Sequence, residues 1–403
     1  MPAVAQLMSR FPKASETFIL NEALELRRQG FAVELFPLVE ERGAAVQPEA
    51  AALAREAHFP RRSPGAVAAA QLYWLRARPR EYLRVWADAL RGNRGSPKFL
   101  PRAAAVIPAA AWFAREMGRL GTGHIHAHYA THPALAAWAC HRLTGIPYSF
   151  TAHAHDLYVE RPMLERKASE AAFVVTISDY NRRLLERLLD PAAAARVHVV
   201  RCGVDLERFA PRPREPHEGL RIACVASLEP YKGHPHLLEA LARLARDGVA
   251  FSCELIGGGV LREPLEASAA ELGLGGRVRF LGPQPSPRVA ELVSAADVLV
   301  LPSVVTPEGK MEGLPVALME SLAVETPVVA SAISGIPELV EDGVTGLLVP
   351  PGDPQALAGA LARLAADPEL RARLGRAGRA RVAAEYELHA NVAALAALIE
   401  GGA

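Results

Sequence analysis

An alternation of short apolar runs with longer helical stretches constrains the fold of this 403-residue chain more than any other feature. Several runs are almost entirely Val, Ile, Leu and Ala, as expected of strands buried on both faces of a parallel sheet. Strands that alternate with helices predict an α/β fold with crossover connections. The predicted strands are residues 4–8, 32–36, 148–151, 173–177 and 197–200, and then 221–226, 251–256, 278–281, 298–301, 327–330 and 346–349.

The pattern occurs twice, and residues 205–219 separate the two series of strands. That stretch holds three prolines and mixed charges, which is typical of a linker. We therefore expect a first domain over residues 1–205 and a second over residues 206–382. Doubly wound domains bind ligands in the crevice outside the carboxyl ends of their strands.

Composition excludes several classes of protein. Hydrophobic residues make up 50% of the chain and charged residues 22%, so wholesale disorder is excluded. The formal net charge is +1, which argues against a polycation that binds nucleic acid. No stretch reaches about 18 apolar residues without a charge, as a spanning helix requires. Residues 1–21 carry charges where a signal peptide is apolar, so we expect a cytoplasmic location.

Residues 61–102 form an unusually basic segment. They contain ten Arg and Lys residues but only two acids, and four Tyr and Trp residues lie among the arginines. Two interpretations stay open: an interfacial surface that seeks anionic lipid, or a solvated helical insertion whose aromatic rings pack on the core. No RNA- or DNA-binding signature accompanies the segment. The Tyr and Trp residues are Tyr73, Trp74, Tyr82 and Trp86.

Two glutamates follow the predicted strand 298–301. Glu312 and Glu320 are eight positions apart, and the sequence predicts one helix from near Gly313 that carries both on about the same face. A helix N-terminus at the carboxyl end of a parallel strand favours a phosphate group. Taken alone, paired acids are equally consistent with a solvated helix face.

The surrounding E-G-L-P and M-E-S-L-A-V-E-T-P-V-V-A sequences make this stretch resemble the E-x7-E motif of the family 4 retaining glycosyltransferases. These enzymes have the GT-B fold, in which two Rossmann-like doubly wound domains face a central cleft. The resemblance implies that Glu320 binds the ribose of the donor nucleotide. It implies that Glu312 contacts the donor sugar or holds the loop beside the phosphates. The donor-binding loop would be Gly313, Leu314 and Pro315.

Residues 226–233 read A-S-L-E-P-Y-K-G, where the family has G-R-L-x-x-x-K-G. Lys232 matches the cation that holds the donor diphosphate. Ser227 stands where the family has arginine, so it keeps a donor hydroxyl but lacks the charge that strengthens a hydrogen bond to phosphate. Without this context, K-G after a strand is usually only a turn.

Two further loops resemble donor-binding parts of the family. Residues 255–260, L-I-G-G-G-V, match the turn beside the nucleotide and contribute Gly257 and Gly259. Leu281, in F-L-G-P-Q, matches the loop against the nucleobase. Alone, the first is a glycine-rich turn, and it lacks the spacing of a dinucleotide fingerprint.

Seven of the thirteen histidines lie between residues 124 and 155. His124, His126 and His128 alternate, so a strand would place them on one face. Such a row of imidazoles suits a metal ion or buried hydrogen bonds. No carboxylate spacing supports a metal, and we expect none here.

Residues 150–158, F-T-A-H-A-H-D-L-Y, match the family's T-x-H-x-x-D stretch. The resemblance implies that His153 is catalytic, together with Glu312, and faces the donor sugar. It places Asp156 on the acceptor side. Taken alone, a histidine here would more often be structural.

The opening S-R-F-P-K-A-S-E-T-F-I-L-N, at residues 9–21, resembles a branch that acts in bacterial exopolysaccharide assembly, such as colanic-acid glycosyltransferases. The H-x-H-A-H and T-P-E-G-K-M-E-G-L-P stretches of that branch also recur. The resemblance places Thr17 on the acceptor side. It also predicts that a final helix within residues 383–403 packs back on the first domain.

The resemblance implies a retaining glycosyltransferase that moves a sugar from a nucleoside-diphosphate sugar to a glycan or polyprenyl-linked acceptor. The chain has no D-x-D sequence, so we expect no metal and no cofactor. Two alternatives stay open: a nucleotide-sugar epimerase of the same fold, and a non-catalytic nucleotide-sugar-binding partner. The basic segment 61–102 adds the hypothesis of peripheral attachment to an anionic inner membrane.

Overall fold

The computed structural model describes residues 3–13, 16–41 and 47–401. The described chain divides into two compact units. The first comprises the residues up to Val200 together with those from Val392 onward, and the second is Arg201–Asn391. Within the described ranges, no helix combines the length and the apolar character needed to cross a bilayer.

The first unit is a sheet flanked by helices, with four helices between its second and third strands. Its strands are β1 (Ala3–Phe11), β2 (Ala32–Glu40), β3 (Thr122–His128), β4 (Tyr148–Ala152), β5 (Phe173–Thr176) and β6 (Val197–Val199). Its helices are α1 (Thr17–Arg28), α2 (Pro48–Glu56), α3 (Pro64–Ala77), α4 (Pro79–Asn93), α5 (Phe99–Leu120), α6 (His132–Thr144), α7 (His155–Tyr158), α8 (Leu164–Glu170), α9 (Asp179–Leu188) and α10 (Pro191–Ala194).

All neighbouring strands of this sheet are parallel, in the order β2-β1-β3-β4-β5-β6. The strand order reverses between β1 and β3, and open α/β sheets bind ligands at such a switch point. Alanine-rich faces of α5 and α6 pack in the core, around the fully buried rings of Phe113, Trp138 and Phe150.

The second unit repeats the arrangement with shorter connections. Its strands are β7 (Leu220–Val225), β8 (Phe251–Ile256), β9 (Val278–Gly282), β10 (Val298–Leu301), β11 (Val328–Ser331) and β12 (Leu347–Val349). Its helices are α11 (His234–Arg246), α12 (Arg262–Glu271), α13 (Ser286–Ala295), α14 (Val316–Ala323), α15 (Ile336–Leu339), α16 (Pro354–Ala366), α17 (Pro368–Glu385) and α18 (Leu388–Gly401), whose residues from Val392 belong to the first unit.

The second sheet is also parallel, in the order β12-β11-β10-β7-β8-β9. Numbered from its first strand this is the Rossmann order, with the switch point between β7 and β10. The core includes leucines of α11 at helical spacing and the four residues of β10, all fully buried.

The predicted α/β architecture with two series of strands is confirmed. β8 and β10 have the predicted bounds, whereas β1 and β2 run three and four residues beyond their predicted ends. The predicted series omits β3 because its alternating histidines interrupt the apolar run. In the structure all three of these histidines are fully buried.

Residues 205–219, predicted as a linker, pack against the second unit. The ring of Phe209 is 3% exposed. The guanidinium of Arg214 donates to the carbonyl oxygen of Ser294 at 3.0 Å and to Thr326 Oγ1 at 2.7 Å. The predicted linker is thus a packed part of the second unit.

Candidate active site

In the second unit, the loops after β7 and β10 meet at the switch point. The backbone N–H of Val304 donates to the carbonyl oxygen of Tyr231 at 2.8 Å. Gly233 ends a short 3-10 turn with φ of +71°, and a Cβ there would lie 1.8 Å from the carbonyl oxygen of Pro302. Only glycine fits both the conformation and the space. The K-G sequence therefore marks the contact between two loops.

Lys232 forms an ion pair with Glu312 at this contact. Each side chain is 12% exposed, so the pair lies largely out of water. Burial lowers the pKa of Lys232, but the charge and hydrogen bond of Glu312 outweigh it, and the pKa is raised. The ammonium group thus stays charged in a desolvated position, where its field is strong.

A second ion pair lies beside the first. Lys310 Nζ is 2.6 Å from Glu229 Oε2, with side chains 40% and 39% exposed. The ring of Tyr231 contacts both cations: the Nζ atoms of Lys232 and Lys310 lie 5.0 and 4.4 Å from its centroid. We call Lys232, Glu312, Lys310, Glu229 and Tyr231 the charged cluster.

The helix predicted from near Gly313 is present but begins later, and the predicted shared face of the two glutamates is wrong. α14 begins at Val316, so Glu312, Gly313 and Leu314 precede it in an irregular loop, and Glu312 shares no helix face with Glu320. Pro315 disfavours helical conformation in the residue before it, which delays the helix.

The Ser334 hydroxyl, in the loop after β11, holds this irregular segment in place. It lies 2.6 Å from the carbonyl oxygen of Glu312 and 2.8 Å from that of Gly313. The backbone beside Glu312 is therefore fixed from a third loop rather than by helical hydrogen bonds.

Glu320 lies in α14 and is half-buried. Burial raises the pKa of Glu320 to about 7, against the lowering effect of Arg208. The carboxyl group therefore keeps its proton to higher pH than an ordinary glutamate, and in the protonated form it can donate as well as accept a hydrogen bond.

The glycine-rich turn after β8 lies against the loop that holds Ser227. The N–H of Leu228 donates to the carbonyl oxygen of Gly258 at 2.9 Å. Gly257 has φ of +147°, and a Cβ there would lie 1.9 Å from the carbonyl oxygen of Ala226. The structure thus brings Ser227, Gly257 and Gly259 to the same edge of the sheet as Lys232.

Leu281 lies one strand further out. It is half-buried near the end of β9, and its carbonyl oxygen accepts a hydrogen bond from Gln284 Nε2 at 2.8 Å. Its predicted contact with a nucleobase stays a prediction.

In the first unit, three histidines of β3 form a buried polar face with β4. His124 Nε2 and His126 Nδ1 lie 2.7 and 2.8 Å from Ser149 Oγ. His126 Nε2 lies 2.9 Å from Thr151 Oγ1. Burial lowers the pKa of His124 to about 4 and that of His126 well below its ordinary value. The predicted single face is confirmed, and the rings of His124 and His126 are neutral at pH 7.

Glu22 from α1 reaches this histidine face. Its Oε1 lies 3.3 Å from His128 Nε2, and it accepts a hydrogen bond from Gln6 at 2.9 Å. One ligand atom each of Glu22, His126 and His128 lies within 4.8 Å of the others, a spacing that could hold a metal ion. Because both nitrogens of His126 already contact hydroxyl groups, the protein itself satisfies that ring. The expected absence of a metal stays a prediction.

His153 follows β4. Its ring lies between those of Phe18 and Tyr129, with centroids 4.8 and 4.7 Å away. Asn181 Nδ2 donates to its carbonyl oxygen at 2.6 Å. Its Nε2 is buried and has no hydrogen-bond partner among the described residues. Burial, with the nearby His128 and His155, lowers the pKa of His153 well below 6.5, so the ring is neutral and one nitrogen can serve a ligand.

Asp156 is fully buried, and backbone groups occupy its carboxylate. The N–H groups of Ala130, Ala154 and His153 donate to it at 2.7, 2.8 and 3.1 Å. It thereby joins the loop after β3 to the loop that carries His153. Its predicted contact with an acceptor stays a prediction.

The other acceptor-side prediction falls on Thr17, the half-buried first residue of α1. Residues 14 and 15 of the same motif lie outside the described residues.

Sequence reasoning missed several residues that shape these sites. Tyr231 and Glu229 lie within the quoted A-S-L-E-P-Y-K-G stretch, and Lys310 within T-P-E-G-K-M-E-G-L-P. For these three residues, the available sequence signal was their position inside stretches that match the family. Ser334 and Asn181 act through distant contacts that no spacing shows.

Solved structures share the fold of the whole chain. Sucrose-phosphate synthase from Thermosynechococcus elongatus superposes with a TM-score of 0.72 at 21% identity, over 100% of this chain and 99% of that one. HepE from Anabaena, in complex with UDP and glucose, gives 0.72 at 15% identity, over 99% and 100%. The two sheets and these neighbours define the GT-B fold.

Two sequence profiles match in succession. "Glycosyltransferase Family 4" covers residues 15–208, and "Glycosyl transferases group 1" covers residues 206–381. A mannosyltransferase of Mycolicibacterium smegmatis, GDP-mannose-dependent and acting on phosphatidylinositol monomannoside, is 33% identical over 267 residues, 62% of this chain and 69% of the relative. The chain belongs to glycosyltransferase family 4, as its motifs predict.

Exopolysaccharide enzymes are also similar. The amylovoran biosynthesis glycosyltransferase AmsK of Erwinia amylovora is 39% identical over 208 residues, 51% of each chain. The putative colanic acid biosynthesis glycosyltransferase WcaL of Escherichia coli is 44% identical over 168 residues, 41% of each. These matches thus span about half the length of the relatives or less.

Proposed function

We propose that the chain transfers a sugar from a nucleoside-diphosphate sugar to a glycan or polyprenyl-linked oligosaccharide in exopolysaccharide assembly, with retention at the anomeric carbon. In this reaction the bond between the anomeric carbon and the diphosphate breaks, and the acceptor hydroxyl oxygen bonds to that carbon and gives up its proton. Negative charge grows on the departing diphosphate.

The observation that carries the proposal is the ion pair of Lys232 with Glu312 at the switch point of the second sheet. A desolvated ammonium group is suited to a diphosphate, which it would bind more strongly as charge develops. Glu312 holds that ammonium in place before the donor arrives. The backbone N–H groups of Gly313 and Leu314 lie in the same loop and add donors.

Glu320 and His153 take the other two donor roles. We assign the ribose hydroxyls to the carboxyl group of Glu320, whose oxygens can accept hydrogen bonds in either protonation state. We assign a donor-sugar hydroxyl to the unpartnered Nε2 of His153. Both groups can accept a hydrogen bond from a hydroxyl group.

The identity of the nucleotide has two candidates. HepE was solved with UDP and glucose, which supports UDP. The mycobacterial relative is GDP-mannose-dependent, which supports GDP. The exopolysaccharide names of AmsK and WcaL support a glycan acceptor. We further propose a cytoplasmic enzyme at the membrane surface, where a polyprenyl-linked acceptor lies.

We infer that the transfer needs no divalent cation, because Lys232 and the loop N–H groups supply positive charge beside the diphosphate. Turnover should therefore persist in EDTA. A requirement for added Mg²⁺ or Mn²⁺ would contradict this part of the proposal.

The test is a transfer assay with UDP- and GDP-sugars, with and without a polyprenyl-linked oligosaccharide fraction from an exopolysaccharide-producing bacterium. The proposal predicts a glycosylated lipid product whose NMR spectrum shows the anomeric configuration of the donor. Isomerised donor without acceptor would favour the epimerase. Donor binding without any turnover would favour a non-catalytic partner.

A further inference from the structure

The helices α3 and α4 of the first unit expose an unusual share of the large apolar side chains. Ten such side chains are exposed in the described residues, and five of them lie on these two helices: Leu72, Tyr73, Leu75, Leu83 and Leu90. Leu83 is 58% exposed and Leu72 is 54% exposed. Clustered exposure of this kind marks an interaction site, whereas scattered apolar residues do not.

The sequence left open whether the aromatic rings of residues 61–102 face a membrane or pack on the core. The structure answers this question for most of them. Trp74 and Tyr82 are buried: the indole N–H of Trp74 donates to the carbonyl oxygen of Ala111 at 2.7 Å, and Tyr82 packs in the core. Trp86 is half-buried against the same core. Most of the aromatic residues thus hold the helices in place, and leucines with Tyr73 form the exposed apolar surface.

One face of α4 is both apolar and basic. Leu83, Ala87, Leu90, Arg91 and Arg94 follow one another at the spacing of a single helix face, and all are exposed. The opposite face, with Tyr82, Val85 and Ala89, is buried. α4 therefore has apolar residues on both its buried face and its exposed face, and the exposed face also carries arginine.

Arginines surround this apolar surface. Arg76, Arg78, Arg80 and Arg94 are exposed and form no ion pair with any described residue. Each of the two acids of the segment is shared between a cation outside it and one within it: Glu81 contacts Arg142 at 3.0 Å and Arg84 at 2.7 Å, and Asp88 contacts Arg166 at 2.6 Å and Arg91 at 3.6 Å. The surface thus presents positive charge that is not neutralised locally.

A shallow groove of about 640 Å³, largely open to solvent, lies beside this face, between α4 and the start of α5. Apolar residues form most of its lining, and Arg91 and Arg94 are its charged residues. An apolar groove with two guanidinium groups complements a molecule with a hydrocarbon part and a phosphate, since guanidinium binds phosphate oxygens through paired hydrogen bonds. The apolar lining is Ala87, Leu90, Leu100, Pro101 and Ala104.

We propose that the α3–α4 surface docks on an anionic phospholipid bilayer, and that the α4–α5 groove binds one phospholipid, with its phosphate on Arg91 and Arg94. Leu72, Leu75 and Leu83 enter the interfacial region. This combination of basic residues with exposed leucines is how interfacial helices bind membranes. The inference makes the proposed membrane location specific, and it does not depend on sugar transfer.

The test is co-sedimentation of the full chain with two kinds of vesicle, phosphatidylcholine alone and an equimolar mixture with phosphatidylglycerol. The wild-type chain should sediment with the anionic vesicles only, and added salt should weaken the binding. The double variants Leu83→Ser/Leu90→Ser and Arg91→Gln/Arg94→Gln should each bind about tenfold more weakly.

The chain offers matched controls. Leu272 is 37% exposed, as Leu90 is, and lies in the second unit. Arg119 pairs with Glu116 one helical turn away and is 70% exposed, as Arg91 is with Asp88. Leu272→Ser and Arg119→Gln should bind vesicles as the wild type does. Unchanged thermal unfolding midpoints would establish that all variants fold.

Three results would overturn the proposal: equal binding to both vesicle types, equal binding by test and control variants, or displacement of the chain from vesicles by millimolar glycerol 3-phosphate. The last would indicate a site for a free phosphate ester. Nucleotide binding, measured in the same preparations by thermal shift, separates this failure from failure of the proposed transferase function.

Discussion

The two units place side chains at the same edge of similar sheets but stabilise them in opposite ways. In the second unit, the charged cluster keeps Lys232 ionised although it is largely out of water. In the first unit, burial keeps His124, His126 and His153 neutral, and hydroxyl and backbone groups satisfy much of the polar face. The edge of the second unit is thus ionic, whereas these three histidines of the first unit are uncharged.

Each of the two edges suits a different ligand chemistry. A diphosphate carries charge and needs a fixed cation, whereas a sugar presents hydroxyls that neutral groups bind without a desolvated charge. The carboxylate of Asp156 is not available as a free charge in the first unit, because three backbone N–H groups already donate to it. The comparison therefore predicts which substitutions affect affinity, turnover or folding.

The largest expected effect comes from substitution of Lys232, at the ionic edge of the second unit. Lys232→Met removes the cation beside the diphosphate and should lower kcat/KM by about 10²- to 10³-fold, the usual loss for a preorganised donor to a developing charge. Weaker nucleotide binding should accompany the loss. Steady-state kinetics and a nucleotide titration measure the two.

Lys310→Met is the matched control, because Lys310 contacts the same Tyr231 ring but is 40% exposed in its ion pair. Exposed pairs contribute about 1 kcal/mol or less, so the loss should stay within about fivefold. Equal losses in Lys232→Met and Lys310→Met would contradict the different roles assigned to the buried and the exposed lysine.

Substitution of His153, in the first unit, should lower turnover rather than nucleotide affinity. His153→Ala removes the nitrogen assigned to the donor sugar and should lower kcat by about 10²-fold, while the Kd for UDP or GDP stays unchanged. His155→Ala, an exposed neighbour, is the control. Loss of nucleotide affinity in His153→Ala, equal to that in Glu320→Ala, would contradict the division of roles.

Asp156 should affect folding before chemistry. Asp156→Ala leaves three buried N–H groups without an acceptor and should lower the free energy of unfolding by about 3 kcal/mol or more. Asp156→Asn, which keeps one acceptor oxygen, should lose less. Denaturant unfolding of both variants gives the comparison. A stable Asp156→Ala that has lost only acceptor affinity would instead support the acceptor-side prediction.

The smallest effect concerns pH. The pKa of Glu320 is about 7 in the folded chain against an ordinary value of 4.5, so the folded state holds a proton that the unfolded chain releases between these values. Stability should fall as pH rises from 4.5 to 7, by on the order of 2 kcal/mol after allowance for the half-exposed side chain. Glu320→Gln should flatten that slope. An unchanged slope would mean that Glu320 does not cause it.

The sequence predicts the architecture well because the information is local. Apolar runs such as V-L-V-L at β10 and the T-x-H-x-x-D stretch at His153 identify strands and loops without knowledge of distant contacts. Lys232 and Glu312 were singled out separately, and the structure pairs them across eighty residues of sequence.

What the sequence misses depends on contacts between distant segments. Spacing placed Glu312 and Glu320 on one helix, but Pro315 delays the helix and Ser334 fixes the loop. β3 escaped the strand prediction because its polar residues are buried against Ser149 and Thr151. Burial of polar groups and the partners that satisfy them follow from the packed fold, not from local pattern.

The most direct test of the account is a thermal-shift titration of UDP and GDP against the wild type, Lys232→Met and Lys310→Met. Binding to the folded state adds RT ln(1 + [L]/Kd), about 2.7 kcal/mol at a hundredfold excess over Kd. The account predicts a shift with one nucleoside diphosphate, kept in Lys310→Met and lost in Lys232→Met. No shift with either nucleotide, or the same shift in all three proteins, would contradict a donor site at the charged cluster.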